Sequence, residues 1–190
     1  MHDRKKTQKL LERIVRALIE YPEDAVVTFE TVPGLTQWYI KVRGEDQGKA
    51  RGREAAHIIA IQYLIGEIGV THEEKQRVTL LESERCVVGH RSPLTQAATY
   101  HPGDAHELLH DILSTILTSK FRIDVRTIQD TPPLAYDFHI TTQIDDDQAA
   151  LLEPYDDDPS HNTLIGALGT LWRAYASREG VSFTISTKSR

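Results

Sequence analysis

The sequence contains a single cysteine, Cys86, among 190 residues. An internal disulfide framework is therefore excluded, and this cysteine usage fits a reducing compartment. No apolar run approaches the roughly 20 residues that a helix needs to cross a bilayer. The basic N-terminus leads into an amphipathic segment instead of an uninterrupted apolar one, which argues against a secretion signal. We therefore expect a cytoplasmic protein that does not bind a membrane.

Positive charge is scarce, and it is concentrated near the N-terminus. The formal net charge is −6. Residues 1–53 nevertheless contain eleven Lys and Arg against eight Asp and Glu, whereas residues 130–160 contain nine acidic side chains and no Lys or Arg. A polyanion would therefore be attracted to the first half of the chain and repelled by the second half.

The sequence also lacks the spacing patterns of common catalytic and metal sites. Its nine histidines form no cluster with cysteine at zinc spacing, and no G-x-S-x-G nucleophile elbow occurs. His106, Glu107 and His110 match the bare H-E-x-x-H pattern of zinc peptidases. Packing of the apolar face explains that helix without a metal, so the peptidase is the less favoured alternative. We predict no catalytic residue, no metal site and no cofactor.

One pattern of elements occurs twice in the chain. Apolar residues at positions 10, 11, 14, 15, 18 and 19 predict an amphipathic helix that ends before Pro22. Two β-branched runs, 26–32 and 38–43, predict a hairpin. A buried helix that begins at Ala55 and a strand at 77–81 complete the order α-β-β-α-β.

The same order returns after residue 104. The apolar positions of the first helix recur with a displacement of 98 residues, at Leu108, Leu109, Ile112, Leu113, Ile116 and Leu117. Strand-like runs, a second long helix and a last strand follow in the same sequence. We therefore predict an internal duplication, with one unit at residues 1–83, a linker at 84–104 and a second, degenerate unit at 105–190.

The two predicted units differ in the segment between the second strand and the long helix. In the first unit, residues 48–53 contain two glycines and three cations. Glycine lets the backbone approach a ligand closely, and the start of the next helix attracts anions. In the second unit, residues 143–159 contain seven acidic side chains and neither a glycine nor a cation. Because of its negative charge, this acidic loop, which runs between Asp145 and Asp158, is unsuited to bind phosphate. The same charge predicts a basic protein partner.

Residues 45–53, which begin with Glu45-Asp46, follow the form E-D-x-G-K-x-x-G-[KR]. The segment 45–55, which ends at Ala55, resembles the type II KH domain of small bacterial RNA-binding proteins. This resemblance covers residues 7–83 directly, and 105–187 only through the repeat. It implies an α+β fold with two tandem type II KH-like units of order α-β-β-α-α-β, each a three-stranded sheet packed on helices. The GxxG loop of KH domains, which clamps about four single-stranded nucleotides, corresponds to Gly52-Arg53-Glu54-Ala55.

The resemblance implies that the first unit binds single-stranded RNA, or single-stranded DNA, without catalysis. The second unit would be a structural or protein-binding copy. The residues expected to contact nucleic acid are Gly48, Lys49, Arg51, Gly52 and Arg53, with Lys41 and Arg43 extending the groove.

Three residues depart from the KH pattern. Ala55 stands in place of the second loop glycine, Glu54 adds a negative charge to the loop, and Arg51 replaces an aliphatic residue. A second placement of the contact is therefore one turn back, at residues 48–52. The alternative function is a protein-interaction or assembly module that no longer binds nucleic acid, which these departures and the net charge favour.

Overall fold

The computed structural model describes residues 4–71, 74–83, 102–117, 120–129, 134–142, 163–179 and 181–189. The chain divides into two compact units, Met1–Tyr100 and His101–Arg190. Each unit contains one three-stranded sheet packed on helices, which confirms the predicted α+β fold. None of the helices in the described ranges is long and apolar enough to cross a membrane.

The first unit begins with a helix, continues with a hairpin, and ends with two helices and a third strand. Its elements are α1 (Arg4–Leu18), β1 (Val26–Val32), β2 (Leu35–Lys41), α2 (Gln47–Arg51), α3 (Ala56–Thr71) and β3 (Lys75–Leu80). The sheet order is β1-β2-β3, with β1 antiparallel and β3 parallel to β2. A parallel neighbour requires a crossover connection, and α2 and α3 supply it.

The core of the first unit lies between the helices and one face of the sheet. The apolar stripe of α1 is buried as predicted, and β2 alternates between buried and less buried positions. Trp38 at the centre of β2 is fully buried. Its indole N–H donates to Gln76 Oε1 at 2.6 Å, so burial of the ring leaves no unpaired donor.

The other face of this sheet contains no buried residue, and we call it the open face. Its outward positions are Val26, Thr28, Glu30 and Val32 on β1, Leu35, Gln37, Tyr39 and Lys41 on β2, and Lys75, Arg77 and Thr79 on β3.

The second unit has the same strand topology. Its elements are α4 (Pro102–Ile116), β4 (Phe121–Gln129), β5 (Ala135–Thr142), α5 (Leu164–Glu179) and β6 (Ser182–Ser189), with sheet order β4-β5-β6. Phe138 lies between Val125 and Ile185 in the register, as Trp38 lies between its neighbours in the first sheet. The acidic loop and the extra short helix expected before α5 fall outside the described residues. That the two units arose by duplication stays a prediction.

Several element boundaries differ from the expectation by a few residues; β2, for example, begins at Leu35 and β3 at Lys75. Pro102 and Gly103 were assigned to the linker, but they lie in the first turn of α4. Proline is well tolerated there because the first N–H of a helix has no intrahelical acceptor. The first helix also begins earlier than its apolar pattern, at Arg4.

Candidate nucleic-acid interface

The segment between β2 and α3 is a pair of helices joined by a tight loop. The sequence pattern alone predicted the order α-β-β-α-β, with no short helix in this segment, whereas the KH resemblance predicted two consecutive helices, and the structure has the latter. A 3-10 turn (Gly44–Asp46) leads into α2, and a second one (Arg53–Ala55) leads into α3. We call residues 52–55 the recognition loop.

Gly52 is the position where only glycine fits. Its φ of 73° and ψ of 169° belong to a region that side chains avoid. A Cβ placed there would lie 2.6 Å from Cγ and 2.9 Å from the backbone N of His57. The chain therefore passes close to the start of α3 with no side chain in between.

Gly48 has no such requirement. It lies within α2, and a Cβ placed there would meet nothing within 4 Å. The two glycines, which the sequence pattern treats alike, thus have different roles: one is needed for the backbone, and the other leaves open space on a short helix.

The recognition loop adopts left-handed backbone angles at two residues that are not glycine. The φ angles are 53° at Glu54 and 64° at Ala55. Ala55, which stands in place of the second loop glycine of the KH pattern, thus has a left-handed backbone angle. Each such residue costs about 1–2 kcal/mol because its Cβ approaches a carbonyl oxygen.

Two side chains that were not predicted hold this loop in place. The Asp46 carboxylate is fully buried and accepts the backbone N–H groups of Glu20 at 3.0 Å and Tyr21 at 2.8 Å. His57 Nδ1 lies 2.7 Å from the Lys49 carbonyl oxygen in the last turn of α2. Asp46 occurs in a hydrophilic stretch and His57 is a single polar residue in an apolar run. Neither setting indicates a partner, because the partners are remote in the sequence or separated by the loop.

Two of the predicted cations are already paired within the unit. Lys49 forms an ion pair with Glu20 and lies 3.7 Å from Asp46 Oδ1. Arg43 donates to Glu45 Oε2 at 3.1 Å, and its guanidinium lies 4.4 Å from the centre of the Tyr21 ring. Desolvation lowers the pKa of Arg43, but the negative charges beside it outweigh this and raise it. These contacts reduce the charge that both residues offer to a ligand.

Arg51 and Arg53 are the cations that the site presents to solvent. Arg51 is exposed at the end of α2 and forms no ion pair with a carboxylate among the described residues. The Arg53 side chain is 93% exposed, and its Nε lies 3.5 Å from Glu54 Oε1. An ion pair this exposed is weak, so an anionic ligand can compete for Arg53.

The structure does not bring Lys41 together with the loop cations. Lys41 alternates along β2 with the buried Trp38 and Ile40, so it lies on the open face. The recognition loop belongs instead to the layer of helices on the other side of the sheet.

The histidines of the H-E-x-x-H pattern lie on α4 as expected, but the described part of the chain gives them no partner ligands. His110 is exposed, and its ring lies 5.2 Å from that of Phe121. No group of three His, Cys, Asp or Glu side chains suited to a metal occurs among the described residues.

Comparison with known proteins gives partial and distant similarity. No protein-family model matches the chain. The RNA-binding protein KhpA of Listeria monocytogenes is 29% identical over 75 residues, which make up 40% of this chain and 99% of that protein. The RNA-binding protein KhpA of Lactiplantibacillus plantarum is 25% identical over 76 residues, 40% of this chain and 89% of that protein. Two fifths of the chain is therefore weakly homologous to bacterial proteins described as RNA-binding.

Proposed function

We propose that the first unit binds single-stranded RNA through the recognition loop. The observation that carries the proposal is the backbone at Gly52, which has no side chain and lies between the exposed Arg51 and Arg53 at the start of α3. The similarity to RNA-binding proteins supports it.

The ligand contact is electrostatic and involves few groups. The N–H groups at the start of α3 carry partial positive charge, which favours a phosphate there. Arg51 and Arg53 can each donate two parallel hydrogen bonds to phosphate oxygens. Because Lys49 and Arg43 are paired with carboxylates, we expect them to contribute little.

With two arginines as the phosphate contacts, we predict that RNA binding depends only weakly on salt concentration. For a single strand, the logarithm of the binding constant falls with the logarithm of salt concentration with a slope of about −0.7 per neutralised phosphate. Two arginine contacts therefore give a slope near −1.4 for a short strand. If Lys49 and Arg43 also contacted phosphate, the slope would steepen to about −2.1 on a tetranucleotide, whose three internucleotide phosphates set the limit, and to about −2.8 on a longer strand.

The test is a titration of the full chain with a labelled RNA tetranucleotide at several salt concentrations, followed by the same titration with DNA. The double variant Arg51→Glu/Arg53→Glu should abolish binding. Its matched control, Lys9→Glu/Lys120→Glu, makes the same charge change at two exposed positions outside the loop and should retain it. Equal losses in both variants would show only a non-specific effect of net charge and would contradict the proposal.

The alternative function remains an assembly module without nucleic-acid binding. The side chain of Glu54 favours it, because that side chain is 83% exposed and its negative charge repels phosphate from the loop. Glu54→Gln should then strengthen RNA binding if the loop is the site. If neither wild type nor this variant binds RNA at low salt, the RNA proposal is contradicted and the assembly function is favoured.

We also propose that the second unit does not bind RNA. The connection between β5 and α5 contains the seven acidic side chains of residues 143–159 and no Lys or Arg, so a phosphate would be repelled there. A basic protein partner for this acidic loop fits the same charge. Replacing the six aspartates of residues 145–158 by asparagine should leave tetranucleotide binding intact or slightly tighter, and weaken binding of a lysine-rich peptide.

A further inference from the structure

The open face of the first sheet carries positive charge that forms no ion pair within the described part of the chain. Lys41, Lys75 and Arg77 are exposed there, and none of them forms an ion pair with another described residue. Glu30 is the one carboxylate among the outward positions of the three strands. In a chain with a net charge of −6, a surface with three cations to one anion is a local exception.

An aromatic ring lies in the middle of these charges. Tyr39 is half-buried at the centre of the open face, between Thr28 on β1 and Thr79 on β3. Its hydroxyl donates to Glu30 Oε2 at 3.1 Å. That hydrogen bond, together with desolvation and the charge of Glu30, raises the pKa of Tyr39, so the ring remains neutral at physiological pH. Ring and cations on a polar sheet surface are the two components of a single-strand stacking platform.

The second sheet, which has the same strand order, serves as an internal comparison. The outward positions of β4 and β5 hold two arginines and two aspartates. Arg122 forms an ion pair with Asp124 at 2.8 Å, and Asp137 accepts a hydrogen bond from Thr184 at 2.7 Å. No tyrosine, phenylalanine or tryptophan occupies those outward positions. On these two strands the second sheet therefore differs from the first in having no such aromatic side chain at an outward position and in pairing Arg122 with a carboxylate.

One edge of the open face lies beside the start of α2, the helix that precedes the recognition loop. Leu81 continues β3 beside Lys41, because its N–H donates to the Ile40 carbonyl at 2.8 Å. The side chain of Gln47, the first residue of α2, donates to the Leu81 carbonyl at 2.7 Å. Arg51 lies four residues further along α2, about 6 Å along its axis. The end of the sheet that carries Lys41 is thus next to the helix that carries the loop cations.

We propose that the open face is a second contact surface for the same single strand, reached past α2 and used only by RNA longer than the recognition loop can hold. Lys41 and Arg77 pair with phosphates, Tyr39 stacks on a base, and the exposed Val26 and Leu81 beside Lys41 give apolar contact. This inference rests on the proposed RNA binding by the loop. Single-stranded nucleic acid fits better than a protein here because the middle of the face is polar and its cations form no ion pair with any residue that the structure describes.

The experiment compares an RNA tetranucleotide with an RNA decanucleotide on the full chain. Tyr39→Leu should weaken decanucleotide binding by roughly 5- to 150-fold, the range expected for one stacked base, and leave tetranucleotide binding unchanged. Tyr39→Phe, which keeps the ring, should bind both RNAs like wild type. Circular dichroism and thermal unfolding verify that each variant is folded.

The cations are tested by neutralisation. Lys41→Gln/Arg77→Gln should reduce the salt slope for the decanucleotide by about 1.4, the contribution of two phosphate contacts on a single strand. The control Arg122→Gln/Arg126→Gln makes the same change on the outward positions of the second sheet and should have no effect.

The outcomes separate the two proposals. If Arg51→Glu/Arg53→Glu abolishes binding while the open-face variants bind the decanucleotide like wild type, the open face is not a contact surface and the loop proposal stands. Equal weakening of both RNA lengths by folded open-face variants would also overturn the inference. If wild type binds neither RNA at low salt, both proposals fail.

Discussion

The most direct test of the recognition loop is a pair of alanine substitutions at its two glycines. Gly52→Ala places a methyl group on a residue with φ of 73° and ψ of 169°, against the start of α3. Gly48→Ala places the same group on a helical residue with open space around it. The pair has identical chemistry and a separation of four residues, so only the local geometry differs.

The two substitutions should change the free energy of unfolding in opposite directions. At position 52 the backbone conformation costs an alanine about 1–3 kcal/mol. The contacts of 2.6 Å and 2.9 Å with His57 add about 1–3 kcal/mol of overpacking, since one of them is with a backbone atom that cannot turn away. At position 48 alanine should raise the free energy of unfolding by about 0.5–1 kcal/mol, because glycine loses more backbone entropy in a helix.

The assay is urea unfolding followed by tryptophan fluorescence. The chain has two tryptophans, and Trp172→Phe as a background leaves Trp38 as the reporter of the first unit. Under this reasoning Gly52→Ala is less stable than Gly48→Ala by at least about 2.5 kcal/mol, the sum of the lower estimates at the two positions. Indistinguishable stabilities would refute the assignment of Gly52 as the residue that shapes the loop.

Three further substitutions test other features of the first unit by the same unfolding assay. Ala55→Gly should stabilise by about 0.5–1 kcal/mol because it relieves a left-handed angle, whereas Ala56→Gly, at a helical φ of −54°, should destabilise by about as much. Asp46→Ala should cost about 2–5 kcal/mol, since two backbone N–H groups lose a buried carboxylate, while the exposed Glu45→Ala should change stability by less than about 0.5 kcal/mol. Burial opposes ionisation of Glu74, but hydrogen bonds from a threonine and an arginine outweigh it and lower the pKa of Glu74 below its ordinary value of 4.5. Wild type should therefore lose stability as the pH falls below 4.5, and Glu74→Gln should lose less stability over the same range. Urea midpoints measured between about pH 3 and 6 test this.

The fold was predictable because its signals are local and periodic. The stripe of apolar residues in α1 and the alternation along β2 follow from helix and strand geometry. The apolar residues of the α1 stripe are buried, and every second residue of β2 is buried. Parallel pairing of β2 with β3 was not predicted, because it depends on contacts between segments that are remote in the sequence. The start of α4 at Pro102 was missed because proline and glycine usually mark loops.

The candidate site was predictable in position and less so in its parts. The cations and glycines of residues 48–53 located the segment, and the family pattern placed its loop at 52–55. Which of those cations face solvent depends on carboxylates that are remote in the sequence, such as Glu20 beside Lys49. The burial of Asp46 follows from two backbone groups 25 and 26 residues away, and no sequence pattern encodes that distance.

The sequence by itself determined the secondary structure, the separation of charge between the two halves of the chain, and the segment most suited to a phosphate. These properties depend on the periodicity and composition of neighbouring residues. Tertiary structure alone decided that Gly52 has no room for a side chain and Gly48 does, that Lys49 and Arg43 are paired, and that Lys41 and Tyr39 share the open face. Those outcomes depend on which remote groups come within a few ångströms of each other, since hydrogen bonds, ion pairs and steric contacts act only at that range.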